Sequence, residues 1–139
     1  MKDSIIFIQI YGYKNQLMAH LFKLNTFSGK RGHLSVIEDF QISFPIKRLF
    51  YIYGVDASKR GGHRHKKTSQ ALICIQGKCE VQNHNGKKEE LFLLDSPEKC
   101  LFVEPNDWHV MQNFSSDAIL LVLASENFDE NDYIYEPYA

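Results

Sequence analysis

The stretch "GGHRHKKTSQALICIQG", residues 61–77, sets two imidazoles one residue apart and follows them with Gln70 and an apolar run. In an extended chain successive side chains alternate between faces, so His63 and His65 look the same way. A third imidazole, His109, stands in "EPNDWHVMQN" behind a proline turn. Three imidazoles on one surface can do two kinds of chemistry. They can hold iron, manganese, nickel or zinc through ring nitrogen. Alternatively they can move protons near neutral pH, because an unperturbed imidazole has a pKa of about 6.5. The residue types by themselves leave both readings open, metal-free proton transfer and a three-histidine metal site.

Positioning such a cluster takes short strands that face one another. Runs rich in β-branched and aromatic residues recur along the chain: "SIIFIQI", "LMAHLFKL", "KRLFYIYGV", "ALICIQG", "KCEVQN", "ELFLLD", "KCLFVEP" and "AILLVLAS". Most are separated by turn residues, which predicts an all-β barrel or sandwich. The Asn-Gly pair in "HNGKK" predicts a hairpin with a primed turn, with His84 at the surface. Gly61 and Gly62 permit a tight approach to the strand that carries the first two histidines. No segment sustains apolar spacing at i, i+3, i+4, so helix is expected only as a turn or two near "SENFDENDYI". The tail "ENFDENDYIYEPYA" mixes acids with aromatics and reads as a solvated end that packs its rings on the barrel.

Composition narrows the partners. A chain of 139 residues, 44% hydrophobic and 24% charged, is expected to form one domain over 1–139. A formal net charge of −1 supplies no global field for nucleic acid or an anionic membrane, so any nucleotide must be held by a few placed cations. The apolar run over residues 5–10 is interrupted by Gln9 and is too short for a signal-peptide core or a membrane span, which makes a cytoplasmic protein the expectation. Cys74, Cys79 and Cys100 are odd in number, lack CxxC spacing and sit in apolar runs, so they read as buried, reduced thiols.

Two histidines, Gln70, Gly77 and a later Pro-turn-His-x-x-x-Asn segment resemble, over residues 61–113, the two sequence motifs of the cupin fold. The resemblance implies a jelly-roll barrel, or double-stranded β-helix. In metal-binding cupins the residue at position 70 is usually glutamate, and the third histidine stands five residues after the proline, whereas His109 stands four after Pro105. A side chain slipped by one residue points off the lumen unless the turn compensates.

The stretches "RGHLSVIE", "FPIKRLFYIY", "RGGHRHKKTSQALICIQG", "LFVEPNDWHVM" and "LLVLASENFDENDYI" together resemble one cupin family, the nucleotide-sugar 3,4-ketoisomerases acting on dTDP-4-keto-6-deoxyglucose. In that family glutamine at position 70 is normal and no metal or cofactor is used. The resemblance implies that a ketone moves from C4 to C3 of a dTDP-linked 6-deoxyhexose, feeding an aminotransferase that makes a 3-amino-3,6-dideoxy sugar for surface glycans such as O-antigen. It implies His63 as the base at C3 and His65 as its neighbour in proton shuffling. It also implies a galacto-configured product, because Arg31 and His109 match the pair of lumen residues of that type, where the gluco type carries Tyr and Arg. Read without the family, Arg31 is an ordinary exposed cation before a turn.

Arg48 and Arg60 are candidates for the pyrophosphate, and Tyr51 or Trp108 for an aromatic wall against thymine. The family is homodimeric with N-terminal strands exchanged, a role the apolar start "SIIFIQIYGY" suits. The chain departs from it at Tyr135, a position often held by arginine, and at "ENF", where a tyrosine pair is common. Two alternatives keep the fold: a metal-dependent cupin oxygenase or isomerase using His63, His65 and His109, and a non-catalytic sugar-binding cupin. The related 3,5-epimerases need a His-Asp base pair and a tyrosine acid whose motif the sequence does not display.

Overall fold

The computed structural model describes residues 18–139, so the expected N-terminal strand over residues 4–10 lies outside the described residues. Twelve strands follow in chain order: β1 (His20–Lys23), β2 (Asn25–Gly29), β3 (Gly32–Val36), β4 (Arg48–Tyr53), β5 (Arg60–His65), β6 (Gln70–Gln76), β7 (Cys79–His84), β8 (Glu89–Leu94), β9 (Lys99–Val103), β10 (Trp108–Gln112), β11 (Ile119–Ala124) and β12 (Tyr133–Ile134). A single helical turn, α1 (Asp39–Ile42), precedes β4, and a 3₁₀ turn (Glu130–Asp132) precedes β12. The expectation of an all-β chain with a turn of helix near the end is met. No helix of the described residues is long and apolar enough to cross a membrane.

The strands form two five-stranded antiparallel sheets, ordered β1-β9-β6-β11-β4 and β12-β5-β10-β7-β8, and a separate hairpin, β2-β3. The large sheets face each other as the jelly-roll barrel that the cupin motifs imply. Leu72, Val81, Leu101, Val103, Leu120 and Val122, all fully buried, meet between them, and each such side chain contributes roughly 1.5–3 kcal/mol by leaving water. A second cluster, Ile42, Phe44, Ala71, Ile73, Phe102 and Leu123, lies on the other face of the first sheet. That explains two sequence patterns. β6 is buried on both faces over residues 70–74 and reads there as the continuous apolar run "ALIC", whereas β4 alternates, with Phe50 and Ile52 partly buried and Leu49, Tyr51 and Tyr53 exposed. The three cysteines are free and buried, as expected.

The β7–β8 hairpin forms, but not on a primed two-residue turn. Its strands close at His84↔Glu89, leaving a four-residue loop. Gly86 has φ +93°, while Asn85 is not in the left-handed region a type I′ turn demands of both residues. Instead the Asn85 side chain accepts from the backbone N–H groups of Lys87 and Lys88, at 2.9 and 2.8 Å.

Candidate active site

Between the sheets lies a cavity of about 150 Å³, lined by Phe50, Ile52, Arg60, Gly61, His63, Gln70, Leu72, His109, Met111, Val122 and Tyr133. Strands β5 and β10 pair across its wall, with His63 opposite His109. The one-residue difference in the Pro105–His109 spacing is absorbed in two places. Asn106 adopts φ +69° in the turn, and the β5–β10 register shifts between His109 and Val110. His109 therefore points inward and is buried. Gly61 makes the approach possible: its φ is +83°, and a Cβ there would stand 2.8 Å from the carbonyl oxygen of His109.

The three imidazoles pack edge to face or stacked. His63 lies 5.0 Å from His65 and 5.0 Å from His109 between ring centroids, and His65 lies 6.0 Å from His109. One ring nitrogen from each falls within 4.8 Å of the others. Burial pushes His63 down to about 4, with the His65 ring adding to the effect and a hydrogen bond with the Gly61 backbone opposing it. His109 is pushed down to about 3, chiefly by burial and then by His63. The cluster is thus neutral at physiological pH. It can accept protons or coordinate a cation, and the amide of Gln70, buried beside it, adds no charge to either.

His65 differs from its neighbours. Its Nδ1 lies 2.9 Å from Oδ2 of Asp132, a residue 67 positions later in the chain. The same carboxylate accepts from the Thr68 hydroxyl and, at 2.8 Å, from the backbone N–H of Lys67. Asp132 is nearly fully buried. Its burial raises its pKa, but these hydrogen bonds outweigh burial and hold it below the usual carboxylate value. His65 itself is lowered, burial outweighing the support of Asp132, and Arg48 pushes in the same direction. The chain reaches this place through its tail. β12 pairs with β5, Tyr133↔His65, and Tyr138 ties down the end by donating to the Asn106 carbonyl at 2.8 Å and lying 4.0 Å from the Arg64 guanidinium. The tail does pack its rings on the barrel, and it also brings Tyr133 to 4.7 Å and Tyr135 to 6.3 Å from the His63 ring.

The expected site residues divide into two groups. His63, His65, His109, Gln70 and Arg60 gather at or against the cavity, and Arg48 lies on the inward face of β4, 5.4 Å from the Phe50 ring and 5.8 Å from that of Phe128. Tyr51, Trp108 and Arg31 stand elsewhere. Tyr51 is one residue out of phase with Phe50 and Ile52, so it lies on the outer face of β4, stacked 5.8 Å from Tyr53. The same period turns Trp108 away from His109, onto an outer groove with His84 and Tyr138. Arg31 sits exposed at the tip of the β2–β3 hairpin, whose strands, among the described residues, pair only with each other. Tyr51 and Trp108, the candidates for an aromatic wall against thymine, thus lie on outer faces, and Arg31 lies apart from His109 in this chain. Sequence reasoning missed Asp132 and Tyr133 as members of the site. The His-Asp pair that the sequence does not display as a motif is present in space, and no local spacing could have revealed it.

A family model described as FdtA: WxcM-like, C-terminal, matches residues 18–139. The TDP-4-oxo-6-deoxy-alpha-D-glucose-3,4-oxoisomerase of Aneurinibacillus thermoaerophilus is 45% identical over 106 residues, spanning 75% of this chain and 76% of that protein. Among solved structures, a 3,4-ketoisomerase from Helicobacter canadensis superposes with a TM-score of 0.82 at 37% identity, covering 86% of this chain and 92% of that one. A double mutant of the QdtA 3,4-ketoisomerase from Thermoanaerobacterium thermosaccharolyticum, in complex with TDP, superposes with a TM-score of 0.81 at 42% identity, covering 85% and 87%.

Proposed function

The chain belongs to the FdtA family and is an isomerase, and on that premise we propose that it converts dTDP-4-keto-6-deoxy-D-glucose into dTDP-3-keto-6-deoxy-D-galactose by metal-free acid/base tautomerisation. The observation that carries the reading is the cluster of three imidazoles, in which His63 and His109 line the cavity and His65 packs behind them, the rings kept neutral by burial. A ketone at C4 acidifies the hydrogen on C3, and a neutral imidazole is a competent base for it. His63 takes that proton, leaving an enediolate. The hydroxyl proton of O3 passes by way of His65 to O4. C4 then receives a proton, the electron pair on O3 closes the C3 ketone, and the oxidation states balance without a cofactor.

The cavity, at about 150 Å³, falls below the roughly 300–1,000 Å³ of a site that encloses a whole ligand. It takes the hexose, and the nucleotide lies across the mouth, where Arg48 and Arg60 meet the pyrophosphate. Arg31 and His109 govern the face on which C4 is protonated. Because Arg31 lies on a hairpin with an exposed apolar pair, Phe27 at 68% and Leu34 at 58% exposure, it reaches a lumen by crossing to a second copy. The working unit in this reading is a strand-exchanged homodimer in the cytoplasm, supplying an aminotransferase that builds 3-amino-3,6-dideoxyhexoses.

Proton NMR of dTDP-4-keto-6-deoxyglucose incubated with the protein tests the proposal: the C4 ketone should give way to a C3 ketone with an axial C4 hydroxyl. An unchanged substrate refutes it, and an equatorial hydroxyl makes the enzyme the gluco-producing type. The convergence of three ring nitrogens within 4.8 Å favours one second reading, a three-histidine metal enzyme. Loss of turnover on chelation, restored by one divalent metal, would select it.

A further inference from the structure

Asp132 gives one of the three histidines a partner that the other two lack. His109 sets its Nδ1 3.2 Å from the Asp107 carbonyl, and His63 bonds to the Gly61 backbone; both orienting groups are uncharged. Among the described residues, His65 alone of the three meets a carboxylate. We propose that Asp132 is a positioning residue that holds His65 as the Nδ1–H tautomer and so makes it the relay between O3 and O4; the inference rests on the reaction proposed above.

The tautomer follows from donor and acceptor inventory. An ionised carboxylate only accepts. Its Oδ2 faces both the Thr68 hydroxyl and His65 Nδ1, and its Oδ1 faces the Lys67 N–H. Each proton in these contacts belongs to the partner, so Nδ1 of His65 carries one. Nε2 is then a bare lone pair. It is buried and has no hydrogen-bond partner among the described residues, an arrangement folded chains seldom leave without a purpose. With His63 at 5.0 Å and His109 at 6.0 Å between centroids, the ring that carries this lone pair packs against the two histidines that line the cavity.

A relay must take a proton and give it back at the same atom. In the enediolate the O3–H bond breaks as Nε2–H forms, giving an imidazolium; Nε2–H then breaks as O4–H forms, and the charge is left on O3. The imidazolium exists only between these transfers, and Asp132 at 2.9 Å stabilises it there by a charge-assisted hydrogen bond. His63 and His109, oriented by neutral carbonyls, have no such support. The backbone holds Asp132 in place independently, since its carbonyl accepts from the Lys66 N–H at 2.8 Å.

Two measurements test the inference. Long-range proton–nitrogen NMR of the uniformly ¹⁵N-labelled wild-type protein, without substrate, should find His65 with a protonated Nδ1 and a pyridine-like Nε2. Finding the proton on Nε2 overturns the proposal, whatever the activity. The second uses Asp132→Asn in D₂O, comparing deuterium entry at C3 of unreacted substrate with formation of the 3-keto product. Product formation should fall on the order of 10²-fold, with KM unchanged, while exchange at C3 falls far less, because His63 still makes the enediolate. A fall of both by one factor marks a merely structural role and overturns the relay. If the wild-type protein leaves the nucleotide sugar unchanged, the proposed reaction fails, and the ring spectrum alone then decides whether Asp132 sets the tautomer of His65.

Discussion

Acid should destabilise this protein through His109 in a way that one substitution removes. The side chain is 2% exposed, and burial, reinforced by His63, brings its pKa to about 3. In the unfolded chain an imidazole titrates near 6.5. Above that value both states are neutral and the stability is intact; below it the unfolded chain binds a proton that the folded chain refuses. Stability is therefore lost as pH falls from about 6.5 toward 3, at about 1.4 kcal/mol per unit. From neutrality to pH 5 the loss amounts to about 2 kcal/mol. Asp107 works in the opposite sense, since burial raises it to about 6 and the fold gains a proton there before the unfolded chain does. The raw pH curve mixes these two with His63 and His65, which burial also lowers, and the difference between wild type and His109→Gln isolates the first. Glutamine keeps an amide that can donate to the Asp107 carbonyl. Urea unfolding followed by the fluorescence of the single tryptophan, Trp108, at pH 7.5 and pH 5 should show the wild type losing about 2 kcal/mol more than the variant. Equal losses, within about 0.5 kcal/mol, would refute the reasoning.

His63→Asn should lower turnover on the order of 10²- to 10⁴-fold while leaving TDP affinity, read by calorimetry, within a small factor, because the base acts at C3 and not on the pyrophosphate. Arg31→Tyr combined with His109→Arg should move the product from galacto to gluco configuration, read from proton couplings at C4. Each single change should slow the reaction more than it redirects it. Gly61→Ala brings a Cβ to 2.8 Å from the His109 carbonyl oxygen at φ +83°; the conformational and packing costs together should lower stability by about 2–5 kcal/mol, measured by denaturant unfolding.

Alternation along strands was legible from the residues alone. It put His63 and His65 on one face, made "ALICIQG" a strand, and marked Gly61 as a place of close approach, all of which the structure bears out, whereas a Cβ at Gly62 would meet nothing within 4 Å. These features are local: a two-residue period or a missing Cβ acts on its immediate neighbours. The same period could not show that Tyr51 and Trp108 lie on outer faces, because alternation says which residues share a face but not which face is inside. Only pairing with a neighbour decides that, as β11 does for β4 and as β5 does for β10 through a shift of register at His109. Asp132 was beyond sequence reasoning for a further reason. Its partner lies 67 residues away, and the contact exists because β12 joins the open edge of the second sheet beside β5. A hydrogen bond of that range leaves no periodic trace in either segment, so the histidines were visible in the chain and the carboxylate that orients one of them became visible only when the sheet closed.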